Sequence, residues 1–464
     1  MVLVEQHDLA SHTSSASTKL IHGGLRYLEQ YEFRLVREAL RERERLLHIA
    51  PHIIWPLRFV LPHSADMRPA WLLRFGLFLY DHIGGRRSLP GTQSLKLNGS
   101  GPGAGLAPSV KRGFAYSDCW VEDSRLVVLN AADAAARGAR ILTRTALTEA
   151  HREGASWRAT LRDQRTGTDS TLTAGMVVNA AGPWVSEVLG GRLGMASKRR
   201  TRLVKGSHIV VKRHYHGEHA YILQNPDRRV VFAIPYERRY TLIGTTDLPY
   251  DGDPTKVAIT ADETRYLCES VRSWFARPVE KEDVVWSYAG VRALFDDGAK
   301  DASEVTRDYV LDLDAPAGGA KLLSVFGGKI TTFRRLAEQA LDALGVSGKP
   351  WTATQALPGG DIPSGNFALF AHDLAACYSF LPRTIVYRMA RAYGTRAEQI
   401  LGGATMVAAL GEDFGGGLTA SEVDYLVRAE FARSADDILW RRTKLGLHVP
   451  PETIGKLSKY LGET

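Results

Sequence analysis

The sequence predicts an α/β protein with a β-rich second domain and a helical C-terminal domain, on three observations. Short apolar runs, "MVLVEQ" at the start and later "RILTRT" and "MVVNAAGPW", alternate with stretches of helical period. Residues 200–290 are mostly strand-like runs, "GSHIVV", "AYILQ", "RVVFAIPYE" and "YTLIGTTD", separated by polar turns. Beyond the Gly/Pro-rich "LPGGDIPSG" the chain is largely helical in pattern to its end.

A chain of 464 residues can bury two or three cores, and its 44% hydrophobic and 24% charged residues are those of an ordinary globular protein. Cys119, Cys268 and Cys377 lie far apart with no CxxC pair, which predicts a reducing compartment without a disulfide framework or zinc ribbon. The net charge of +8 favours acidic partners, whether phosphorylated metabolites, anionic lipid or nucleic acid. No apolar run approaches the roughly 18 residues a membrane span needs, and the N-terminus lacks the features of a signal peptide.

The first run ends in Glu5, an acid at the end of a strand. "SSASTKLIHGGLRYLEQ" follows as a loop leading into a helix, and Phe33, Val36, Leu40 and Leu47 then recur at helical spacing over 32–49, with Pro51 as the stop. "RPAWLLRFGLFLYDHIGGRR", 68–87, reads either as a buried helix or as a membrane-surface helix, since bulky apolar residues are flanked by arginines. A helix over about 124–136, "RILTRT", a small β-meander around 157–161 and 171–173, and "MVVNAAGPW" fit the middle of a flavin-type nucleotide domain, where an antiparallel insert interrupts parallel strands. Pro183 suits the first turn of the next helix.

"KLLSVFGGKITTFRRLAEQALDALG", 321–345, predicts strand, glycine turn and helix. Gly327 and Gly328 let backbone approach a ligand, and the helix end offers unpaired N–H groups and a positive dipole to an anion. Basic residues stand beside such turns: Arg26 after Gly23 and Gly24, Arg292 in "YAGVRALF", Arg307 in "TRDY" and Lys329 in "GGKITT". Arginine forks match phosphate oxygens, and lysine supplies a compact charge. His22 and His208 are candidate proton acceptors. "HYHGEH", 214–219, lies between strand-like runs and reads as a solvated turn rather than a metal site.

Taken together, "TSSASTKLIHGGLRYLEQYEFRLVREAL", "RGFAYSDCWVEDSRLV", "VVNAAGPWV", "KGSHIVV", "IGTTD", "GVRALF", "TRDY", "SVFGGKITTFRRLAE" and "ADDILWRRTKLGL" closely resemble the bacterial aerobic FAD-dependent glycerol-3-phosphate dehydrogenases, in consistent order from about Val2 onward. The resemblance implies a glutathione-reductase-like FAD-binding domain (1–60, 112–195 and 290–346), a β-rich substrate domain (61–111 and 196–289), a linker (347–366) and a helical domain (367–464). It implies oxidation of sn-glycerol 3-phosphate to dihydroxyacetone phosphate, with electrons passing through FAD to quinone. It also implies peripheral attachment to an anionic cytoplasmic membrane surface, with no nucleic acid partner; a homodimer is left open.

By motif position, Glu5 would hold the adenosine ribose, and Ser14, Ser15, Ser17, Lys19, Gly23 and Gly24 would line FAD. Gly182 and the turn Gly328, Lys329, Ile330 and Thr331 would approach from the other side. His22 would be the base, with Arg292 and Lys329 beside the reacting oxygen, and Arg26, Tyr27, Arg292, Arg307 and Lys329 would bind substrate. Ala293 stands where proline commonly follows "GVR", and Phe333 where tyrosine is common. The family's first strand, GxGxxG loop and first helix have no counterpart here, so the resemblance implies an N-terminally shortened form, the glycine loop falling about 20 residues ahead of Glu5. Two alternatives accompany it: a remnant without flavin that binds only membrane or phosphate, and a glycerol-3-phosphate oxidase using oxygen.

Overall fold

The computed structural model describes all residues except 65–66, 86–87, 197–198, 228, 297–307 and 464. Two parallel strand pairs mark the nucleotide-domain part. Val2–Val4 pairs with Arg140–Leu142, and Met176–Asn179 pairs with Lys321–Phe326, whose other edge carries Val310–Asp314 antiparallel. Between them runs the expected antiparallel insert, Thr145–Glu153, Ser156–Asp163 and Asp169–Ala174. Trp157 from this insert is buried and donates its indole N–H to the Lys321 carbonyl at 3.1 Å, which ties the insert to the strand before the glycine turn.

The helices fall where apolar spacing puts them. Phe33–Ile49 buries Val36, Ala39, Leu40, Leu46 and Ile49 and turns most of its charged residues outward. The chain then enters a ten-stranded mixed sheet through Ile54–His63, which pairs antiparallel with Arg112–Val121 and parallel with Ala220–Gln224. The expected boundary at 60/61 therefore cuts a continuous strand. Both strands belong to the large sheet because their pairing runs unbroken from Ile54 opposite Val121 to His63 opposite Arg112. Thr201–Lys212 and Val284–Phe295 form the longest pair of that sheet.

The structure decides one segment left with two readings and changes two others read locally. The helix Ala70–Ile83 is not buried: Trp71, Phe75 and Phe78 are 70%, 53% and 53% exposed, while Leu77 and Tyr80 face inward. In "HYHGEH" the turn is only partly solvated, because Tyr215 is buried and His219 packs against Tyr215 and Tyr221. The spacer "LPGGDIPSG" is packed: the Leu357 amide donates to Ile49 O, and a Cβ on Gly360 would lie 2.2 Å from that same carbonyl. The C-terminal helices, among them Arg383–Tyr393 and Ala420–Ala429, enclose their own core of Val386, Tyr393, Leu426 and Ile438.

Candidate active site

The segment Thr13–Gly24 lies across the Val284–Phe295 strand and ends at the glycine turn of 327–332. Thr13 Oγ1 donates to Val291 O (2.7 Å), and Tyr288 OH donates to Ser17 O (2.8 Å). A Cβ on Gly290 would sit 2.8 Å from the Ala16 methyl, so glycine is what allows the close approach. At the far end the His22 amide donates to Thr331 Oγ1 (3.2 Å), and that hydroxyl lies 3.3 Å from His22 O. Gly24 has φ 73, and a Cβ there would fall 2.2 Å from the Tyr27 ring. Lys329 Nζ stands 4.1 Å from the centre of that same ring.

His22, Gly23, Gly24, Tyr27, Lys329 and Thr331 are therefore brought together. Burial pushes the His22 ring below its ordinary value; the nearby Asp118 opposes this, and Lys329 and Arg43 add to it. The imidazole is held neutral, the form that accepts a proton. Arg292 sits on the strand opposite Val204, and its guanidinium meets Asp247 at 2.7 Å. Arg307 lies outside the described residues, as does the side chain of Arg26.

His208, the other candidate base, is buried and lies against the Tyr288 ring, with its Nε2 3.0 Å from Thr18 Oγ1. Burial, with Lys19 and Arg292 nearby, pushes it down to about 3, too weak a base to take a proton from an alcohol near neutral pH. Ser17 and Lys19 are engaged within the fold. Ser17 Oγ donates to Asp123 (2.7 Å), and the fully buried Lys19 ammonium bonds both Asp123 oxygens (2.9 and 2.8 Å) and Ser15 O. These side chains fix the shape of the segment. Asp123, Asp247, Tyr80 and Asp118 went unassigned at the sequence level, for they carry no glycine or basic signature.

The sequence matches the FAD dependent oxidoreductase family over residues 1–334 and the C-terminal domain of alpha-glycerophosphate oxidase over 350–457. It is 53% identical to a glycerol-3-phosphate dehydrogenase of Pseudomonas aeruginosa, over 99% of this chain and 90% of the relative. The chain belongs to the FAD-dependent glycerol-3-phosphate dehydrogenase family. A D-erythritol 1-phosphate dehydrogenase of Brucella abortus is 52% identical over 97% of this chain and 90% of its own length. The FAD-complexed glycerol-3-phosphate dehydrogenase structure from Bacillus halodurans superposes with a TM-score of 0.75 at 26% identity, covering 99% of this chain and 84% of that one.

The residues present in this family member fit the flavin dinucleotide. Glu5 leaves the Val2–Val4 strand with Oε1 accepting the His7 amide at 2.9 Å, and burial lifts its carboxyl above the ordinary range. His12 Nε2 is buried without a hydrogen-bond partner among the described residues, its ring 5.1 Å from that of Trp184, so a polar ligand atom would satisfy it. Gly182, at φ 56, begins that Trp184 turn with open space where a Cβ would stand.

Proposed function

We propose that this chain oxidises the C2 hydroxyl of sn-glycerol 3-phosphate to dihydroxyacetone phosphate, with FAD as cofactor and a membrane quinone as electron acceptor. The observation that carries the reading is the meeting of neutral His22 with the Lys329 ammonium at the Gly327–Gly328 turn, in a chain 53% identical to a glycerol-3-phosphate dehydrogenase. Bound FAD supplies the hydride acceptor. His22 takes the hydroxyl proton, and Lys329 stabilises the developing negative oxygen. Arg292, oriented by Asp247, offers a guanidinium to the phosphate together with Arg26 and Arg307, and Tyr27 packs beside Lys329. Glu5, Gly182 and the turn from Gly328 through Ile330 to Thr331 hold FAD, with Ser14, Ser15 and Ser17 shaping the intervening segment.

The test is anaerobic mixing of the FAD-loaded protein with sn-glycerol 3-phosphate. The visible flavin band is expected to bleach and to return on adding a quinone analogue; an unbleached flavin overturns the reading. Lys329→Met is expected to lower kcat by about 10²-fold, as loss of one oxyanion donor does elsewhere. The dehydrogenase relatives speak against oxygen as the acceptor, and little hydrogen peroxide is expected in air.

A second substrate reading rests on the 52% identity to a D-erythritol 1-phosphate dehydrogenase. Both substrates are polyol phosphates, and they differ by one CHOH unit. Comparing kcat/KM on the two decides between them, and a ratio favouring the tetritol phosphate reassigns the substrate.

The helix Ala70–Ile83 supports peripheral membrane attachment. Trp71, Phe75 and Phe78 stand on one exposed face, with Arg68 and Arg74 beside them, on a chain of net charge +8. No described helix is long and apolar enough to cross a membrane. Replacing Trp71 and Phe75 together by Ser is expected to weaken sedimentation with anionic vesicles by about a hundredfold or more, on roughly 1.5–3 kcal/mol per buried aromatic side chain. Turnover with a water-soluble acceptor is expected to persist.

A further inference from the structure

The turn that carries His22 is tied to a buried polar chain that the reaction scheme above does not use. The two-residue strand Leu20–Ile21 pairs antiparallel with Trp120 and Cys119. One step further along the same register, His22 comes level with Asp118, which is 1% exposed. The Gly23 amide donates to Tyr80 OH at 2.8 Å, and Tyr80, 2% exposed, shares its single hydroxyl proton between the Asp118 oxygens at 2.9 and 2.8 Å. Arg43 NH1 closes the chain on Asp118 Oδ1 and on Ser117 O, both at 2.9 Å. The helix Phe33–Ile49, the helix Ala70–Ile83 and the strand Arg112–Val121 thus each send one polar side chain to a single point behind His22.

We propose that Tyr80 and Asp118 are positioning residues for the proton-abstraction step: Tyr80 fixes the His22–Gly23 turn, and Asp118, level with His22 across the strand pair, offsets the charge the ring gains. The proposal rests on the reading of His22 as the base. A neutral imidazole that takes the substrate hydroxyl proton becomes a buried cation, with the like charges of Lys329 and Arg43 nearby. Asp118 is the negative group that faces it; burial pushes the Asp118 carboxyl above its ordinary range, and Arg43, His22 and the Tyr80 hydroxyl pull it back down. Tyr116 and Cys119, which also feel Asp118, are pushed upward by burial and stay neutral. No proton needs to pass to Asp118, whose part is orientation and charge.

The sign of the test follows from the charges. Asp118→Asn removes the negative charge that raises the His22 pKa, so the ring pKa falls. The acid limb of kcat then moves to lower pH and the plateau drops, a weaker base being a poorer proton acceptor. Tyr80→Phe keeps the packing and removes the hydroxyl, and is expected to lower kcat by about tenfold with KM unchanged. Asp118→Glu is expected to restore part of the loss.

The His22 ring is followed directly by NMR of isotope-labelled histidine, assigned by its disappearance in His22→Asn. That readout is independent of turnover and reports on Tyr80→Phe should Asp118→Asn fail to fold. An unmoved His22 pKa in Asp118→Asn, or in Asp118→Glu should the amide not fold, together with wild-type kcat in Tyr80→Phe, overturns the proposal. A shifted pKa with full turnover in His22→Asn instead removes His22 as base and leaves the electrostatic tie standing.

Discussion

Replacing His22 by Asn is expected to lower kcat by about 10²–10⁴-fold, the usual worth of a positioned general base, with flavin still bound. The side chain lies on the turn that exchanges hydrogen bonds with Thr331, so the backbone contacts that hold the turn survive the change. Burial, with Lys329 and Arg43 nearby, keeps the His22 pKa below the ordinary histidine value against the pull of Asp118. The active form is the neutral ring, so activity in the wild type is expected to fall as pH drops through that lowered pKa and to be level above it. In His22→Asn this acid limb disappears. Rapid-mixing measurement of flavin reduction across pH separates the outcomes: a variant that keeps both its rate and its acid limb removes His22 from the chemistry.

The chemistry-bearing end of this site was legible in the sequence because it is local. Gly24 needs a positive φ and bare backbone against Tyr27, and Gly328 takes φ 122 ahead of the Phe333–Leu344 helix, so both turns announce themselves as glycine. The contacts that orient the groups were not legible, since they join residues far apart in the chain: Arg292 to Asp247, Lys19 to Asp123, and Gly23 to Tyr80. His208 shows the converse. Its type alone made it a candidate base, and only the burial of its ring against Tyr288, near Lys19 and Arg292, shows that it is held neutral and weakly basic. In the fold, the meander followed from alternation, whereas the 60/61 boundary split the 54–63 strand from its partner 112–121 because pairing partners cannot be read from a single run.

Asp8→Ala is expected to cost about 3–5 kcal/mol of stability, because it leaves the fully buried Arg442 without a carboxylate, while Arg441 keeps Asp436 and Asp437. Asp8 Oδ2 accepts from Arg441 Nε (2.7 Å) and Arg442 NH1 (2.8 Å), and Oδ1 accepts from Arg442 NH2 (2.8 Å). Arg442, with its side chain at 0% exposure, also donates to Glu430 O, and Glu430 pairs with Arg125. Arg144 reaches across to Asp437 at 2.7 Å. Both sides of the seam thus contribute charge: Asp8, Arg125 and Arg144 from the nucleotide domain, and Glu430, Asp437, Arg441 and Arg442 from the helical domain. Asp8 stands three residues after Glu5, so loosening it should also release FAD more readily, read as flavin lost on dilution.

Changing Asp8 to Leu and Arg442 to Met together is expected to be milder than either single change, since no lone buried charge remains. The seam also sets an acid limit. Burial would raise Asp437, but the Arg433 amide together with Arg144 and Arg441 brings it down to about 2. A carboxylate depressed in the fold stabilises fully above its unfolded value of 3.8, and the contribution is lost as pH falls from there through about 2. Thermal midpoints between pH 5 and pH 2 check both claims. The wild type should fall steeply only below about pH 4, and an Asp8→Ala midpoint equal to that of the wild type would show that the seam does not hold the domains together.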